Sequence, residues 1–187
     1  MTKSLRIGLL HLAPELGALD PNRGLIQSRS RIAAGLGADW VVSGRAVPGY
    51  RFVPVLGTEW IREQPDLWMR RLFELTAELG IVSFVGYPER DSKTRRLFNS
   101  VFVIGRDGRV VGRQRKLHRT PIGEGWASSG DLRRPVLVDG LQVGLPSTPA
   151  PTPRSPRAAY ALPARSCCSR LLRGGRASGV RSTHGYR

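Results

Sequence analysis

The sequence predicts a layered α/β fold, and three observations carry that prediction. Short apolar runs at residues 5–12, 39–42 and 81–87 are each bounded by turn-forming residues, as buried strands are. Between them lie two stretches of helical period, long enough for the crossover that a parallel strand pair requires. Two Asp-Gly pairs, at 107–108 and 139–140, each sit between apolar runs and mark tight β-hairpins. At 187 residues the chain is long enough for one domain with a real core.

Taken in order, residues 5–12 (LRIGLLHL) read as a buried strand. Asp20 and Pro21 supply an N-cap and a first-turn proline for a helix that runs to about Leu36, with Leu25, Ile32, Ala33 and Leu36 on one face. Gly37 ends it. Residues 39–42 form the second strand, and a strand–helix–strand unit results. Residues 43–64 make a long loop, a length that usually signals function. Pro65 opens a second helix, whose Trp68, Leu72, Leu75 and Leu79 recur at helical spacing. Gly80 closes it. Residues 81–87 give a third strand and 90–96 a polar turn. Residues 97–104 and 110–113 form the first hairpin, and 136–138 with 141–145 the second.

The formal charge of +16 is unevenly placed. Half of it sits in residues 146–187, which hold eight arginines, six prolines and no acid. That segment has no period and reads as a Pro/Arg-rich disordered tail, set apart from a folded part at 1–145. A basic balance can serve nucleic acid, but the tail lacks interleaved aromatics, and no nucleic-acid partner is expected. Cys167 and Cys168 are adjacent and form neither a disulfide framework nor a metal motif. No cofactor and no metal are expected. The first apolar run is too short for a signal segment or a membrane span, so a cytoplasmic chain is expected.

The chemistry concentrates in residues 115–130 (RKLHRTPIGEGWASSG), a glycine-rich loop after a hairpin that carries one lysine and one glutamate. The scaffold upstream is expected to deliver Lys116 and Glu124 to one place. Trp126 is expected to pack beneath this loop, and Arg45 to be a surface residue. His11, His118 and His184 have no recognisable partner.

With that order in hand, residues 5–145 resemble the nitrilase, or carbon–nitrogen hydrolase, superfamily. The resemblance rests on ADWVV (38–42), AVPGYRF (46–52), IVSFVGYPERD, RLFNSVFVIGRDGRVVGRQRK and GEGWASSGD (123–131). It covers roughly the first half of a typical family domain. It implies an α-β-β-α sandwich, here incomplete, possible homodimerisation, and a small-molecule amide or nitrile as partner. It also implies a Glu–Lys–Cys triad. There a cysteine attacks carbon, a glutamate moves protons and a lysine stabilises the oxyanion. By resemblance, Lys116 matches the family lysine and Glu124 a second, supporting glutamate. The triad glutamate should follow the second strand, where Ser43, Gly44 and Arg45 stand instead. Asp39 and Glu59 are the nearest acids, and neither fits the motif. The cysteine should fall near residue 148, which is Thr148. The expectation is a family member that is catalytically inactive. The alternatives are a non-catalytic binding homologue or a truncated product without selected function. A one-base shift of the tail's reading frame can yield family-like segments, so a frameshifted coding sequence is a further expectation.

Overall fold

The computed structural model describes residues 4–44, 47–49, 51–117, 123–131 and 135–145. Arg45, His118, Thr148, Cys167, Cys168, His184 and the whole of 146–187 lie outside the described residues.

The chain forms a mixed α/β structure. A five-stranded sheet has the order β1 (Ile7–Leu10), β2 (Trp40–Ser43), β3 (Val82–Arg90), β4 (Leu97–Ile104) and β5 (Val110–Arg115). The first three strands run parallel and the last two antiparallel. The helix α1 (Leu19–Gly35) makes the first crossover. A four-residue helical turn, α2 (Val53–Leu56), interrupts the long loop, and α3 (Leu67–Leu79) makes the second crossover. A separate hairpin of β6 (Val136–Val138) and β7 (Leu141–Val143) follows. Its turn residues Asp139 and Gly140 both have positive φ, as the tight turn that matches strand twist demands.

The α3 helix forms for the reasons its spacing suggested. Asp66 is its N-cap, and the carboxylate accepts from the Met69 amide. Trp68, Leu72 and Leu75 are buried on one face, and Gly80 ends the helix in the left-handed conformation. This face and Ile26 of α1 pack against Val85, Tyr87, Phe102 and Ile104 on one side of the sheet. Met69 and Leu72 are fully buried there. Burial of each such side chain stabilises by about 1.5–3 kcal/mol. On the opposite side, Trp40, Val82, Phe84 and Val103 pack with Val138 of the hairpin. The sheet is thus covered by helices on one face and in part by a second β layer on the other.

Three expectations need correction. The helix α1 starts earlier than Asp20, its N-cap is Ala18, and Asp20 lies in its first turn, bound to Arg23. Its buried face is Asn22, Ile26 and Ser30, while Ile32 and Leu36 are exposed. Asn22 explains the rotation. Its side chain donates to the carbonyls of Glu15 and Val47 and accepts from the Glu15 amide, so a polar residue is drawn inward to hold two loops. Lastly, β1 is not a buried strand. It is an edge strand whose residues alternate between exposed and half-buried.

Candidate functional site

Strand register brings the candidate residues together. Asn99 on β4 pairs with Pro88 on β3. Lys116 continues the β5 ladder by donating its backbone N–H to the Asn99 carbonyl at 2.7 Å. Neighbouring residues of a strand project to opposite faces. Arg115 therefore points toward the helical side, and Lys116 toward the side of the second β layer. The loop from Gly123 to Gly130 then folds back onto this end of the sheet. The Gly130 amide donates to the Lys116 carbonyl at 2.8 Å, and the Ser128 amide to the Leu97 carbonyl at 2.7 Å.

This return places Glu124 against Lys116. The Lys116 Nζ lies 2.5 Å from Glu124 Oε2, and both side chains are more than nine-tenths buried. Asn99 Nδ2 donates to the other carboxylate oxygen, Glu124 Oε1, at 3.1 Å. Asn99 thus holds both members of the pair, one through its backbone and one through its side chain. Sequence reasoning assigned Asn99 no role. The signal lay only in its pairing register, which the sequence does not state.

Glu124 of this pair borders a narrow cleft of about 30 Å³, room for a water or two. Its walls include Phe52, Pro88, Asn99, Glu124 and Trp126, with exposed Arg51 at its side. Trp126 packs edge-on against Phe52 at 5.2 Å between ring centroids, and Phe52 in turn against Trp60 at 5.5 Å. Trp126 therefore packs against the long loop and lines the cleft as well. Among the described residues no group of three or more metal-ligating side chains converges.

The helical side of the same strands carries a second polar network. The Glu89 carboxylate is almost fully buried and accepts from Ser100 Oγ at 2.9 Å, Arg113 Nη1 at 2.9 Å and Arg115 Nε at 2.6 Å. Arg115 also reaches Asp91 Oδ2 at 2.6 Å and lies over the Phe98 ring at 3.9 Å. Hydrogen bonds from the Thr94 amide, then from Arg115, hold the Asp91 carboxyl well below the usual carboxylate range. Partial burial works to lower the Arg115 pKa, but its bonds to Asp91 and Glu89 raise it on balance. Near α3, burial pushes the Tyr87 hydroxyl upward, against a lowering hydrogen bond from Arg23.

Ser43 ends β2 and is buried, with its hydroxyl 3.4 Å from the Phe84 carbonyl, and Gly44 follows it. Asp39 lies at the other end of β2, where its carboxylate accepts from the Arg6 amide and faces Arg106. Glu59 is turned onto the Thr58 amide. His11 is exposed just beyond β1.

A mixed sheet with helices on one face and a second β layer on the other, with a buried lysine–glutamate pair at a strand end, defines a layered α/β sandwich protein. Residues 6–147 match the carbon-nitrogen hydrolase family, and the chain belongs to that family. Among solved structures it is similar to an amidase from Nesterenkonia sp., at 19% identity and a TM-score of 0.61, over 73% of this chain and 52% of that one. It is also similar to a carbon-nitrogen hydrolase from Helicobacter pylori G27, at 20% identity and a TM-score of 0.56, over 74% of this chain and 49% of that one. In one structure of the Nesterenkonia amidase, an acetamide moiety is covalently attached at the active-site cysteine. The present chain spans about half the length of the solved structures it matches.

Proposed function

We propose that this chain is a carbon–nitrogen hydrolase homologue that keeps the oxyanion-stabilising side of an amide- or nitrile-hydrolysing site and does not hydrolyse. The observation that carries this reading is the Lys116–Glu124 pair, held by Asn99, together with a β2 end at which the described residues are Ser43 and Gly44. A fixed ammonium can polarise a carbonyl or a nitrile nitrogen. It cannot take a proton from a nucleophile, and no nucleophile is assigned to this chain. Loss of a triad member elsewhere removes several powers of ten in rate. Asp39 and Glu59 do not replace the missing base, because each is engaged away from the cleft.

On this reading residues 1–145 carry the retained part of the family domain, and residues 146–187 are a separate segment translated in a shifted frame. The nucleotide sequence around the Leu145 codon decides that point, since an in-frame continuation of the domain one base away is required. Activity is tested by ammonia release from a panel of aliphatic amides and nitriles, with Lys116→Met as the control. We expect the two proteins to be indistinguishable. Turnover that disappears in Lys116→Met would overturn the proposal.

A further inference from the structure

The long loop between β2 and α3 brings to the cleft one residue that the proposed site leaves unused. Arg51 has φ 65°, a left-handed backbone that an L side chain adopts only at a cost. Residues held in such conformations by their surroundings collect at ligand sites. Here both flanks are held. On one side the Asn22 side chain donates to the Val47 carbonyl at 2.8 Å, and the Gly17 amide to the Pro48 carbonyl at 3.1 Å. On the other, Phe52 is 2% exposed and packs edge-on against Trp60 and Trp126. The Phe52 carbonyl also accepts from the Val55 and Leu56 amides. Arg51 stands between these anchors, exposed, at the side of the cleft.

The charges of the cleft do not balance. Among the described residues that line it, Glu124 is the one acid and Arg51 the one cation. Glu124 is already matched, with Oε2 on Lys116 and Oε1 on Asn99. No described residue pairs with the Arg51 guanidinium. Each Glu124 oxygen has a further lone pair, so the carboxylate can still accept an N–H from a ligand. Phe52, Pro88 and Trp126 add apolar walls. A volume of about 30 Å³ admits one small planar head group and leaves the rest of a ligand at the mouth.

We infer that this cleft binds a short amide whose chain ends in a carboxylate, with the amide N–H on Glu124 and the carboxylate on Arg51. The inference rests on the reading of the cleft as a retained amide site. A guanidinium takes a carboxylate through two parallel N–H donors. An uncharged aliphatic amide leaves that fork unused, and a plain carboxylic acid brings Glu124 no donor. The amide acid alone matches both groups.

The probes are succinamate and glutaramate at constant ionic strength. Each is compared with its neutral diamide and with the monocarboxylate of the same length, butyrate or pentanoate. Tryptophan fluorescence of the full chain follows binding, since Trp126 lines the cleft. One of the two amide acids is expected to bind saturably and at least tenfold tighter than both of its counterparts. Arg51→Asn removes the guanidinium and keeps a residue that tolerates the left-handed backbone. It should bring the amide acid down to the level of its diamide and leave the diamide and the melting temperature unchanged. Equal binding of amide acid and diamide, a preference that survives Arg51→Asn, a monocarboxylate that binds as tightly, or no saturable binding of either amide acid would overturn the inference. Ammonia release from succinamate that Lys116→Met abolishes would sink the non-hydrolysing reading alone, because the dependence of binding on Arg51 is scored separately.

Discussion

Substituting Lys116 by methionine tests whether the buried pair is a structural unit. Methionine keeps most of the length and apolar stem of lysine and removes its charge. The change leaves the Glu124 carboxylate, 4% exposed, without the ammonium now 2.5 Å away. Breaking a buried pair from one side costs about 3–5 kcal/mol, because a buried charge loses its counter-ion. That is a large part of the roughly 5–15 kcal/mol available to a natural domain. Replacing both partners by apolar residues of similar size is often close to neutral. Lys116→Met and Glu124→Leu are therefore expected to be costly singly and to compensate each other in combination, with a coupling of at least about 2 kcal/mol. Equilibrium urea unfolding, followed by tryptophan fluorescence, measures all four corners of the cycle. Single costs below about 1 kcal/mol, or additivity within about 0.5 kcal/mol, would refute the reasoning.

Three further outcomes follow from the same geometry. Asn99→Ala removes one donor to the Glu124 carboxylate and is expected to cost about 1.5–3 kcal/mol in urea unfolding, the range for hydrogen bonds to charged groups. Asp91→Asn should flatten the acid limb of stability. The folded-state pKa of Asp91 is depressed, so its contribution is present above the ordinary carboxylate range and fades as pH falls through the lower folded value, and thermal melts between about pH 2 and pH 7 read this. Gly130→Ala would place a methyl 2.3 Å from the Arg115 Cβ and 2.9 Å from its carbonyl oxygen. It is expected to push the loop off β5, lower Tm, and speed hydrogen exchange at the Gly130 amide.

The sequence carried much of this fold in plain form. Apolar runs punctuated by Gly80, Asp107-Gly108 and Asp139-Gly140 gave the strand and hairpin order, because turn chemistry is local. The α3 face followed from spacing alone. The face of α1 did not, because burial there serves hydrogen bonds from Asn22 to two loops, and apolar periodicity is blind to that. The edge position of β1 also escaped, since a short apolar run reads alike at an edge and at a centre. In the site, Lys116 and Glu124 were legible through their motif context. Asn99 and Glu89 were not, because their roles depend on which residues face each other across β3, β4 and β5.

That register bears on what the retained residues mean. Glu89 binds Arg113 and Arg115 on one face of β5 and so fixes the strand's position along β4. Lys116 comes next and must project to the other face, where Glu124 and Asn99 receive it. Its placement is thus inherited from an ion network on the opposite side of the sheet. Replacing Lys116 or Glu124 alone leaves a buried charge, so fold stability is enough to hold both residues in place, whatever the chemistry. The end of β2 is under no such constraint. Gly44 is exposed, and the neighbouring Ser43 makes a long hydrogen bond to the Phe84 carbonyl. A base could be absent there at little cost to the fold. A buried lysine–glutamate pair is therefore strong evidence of family membership and weak evidence of turnover.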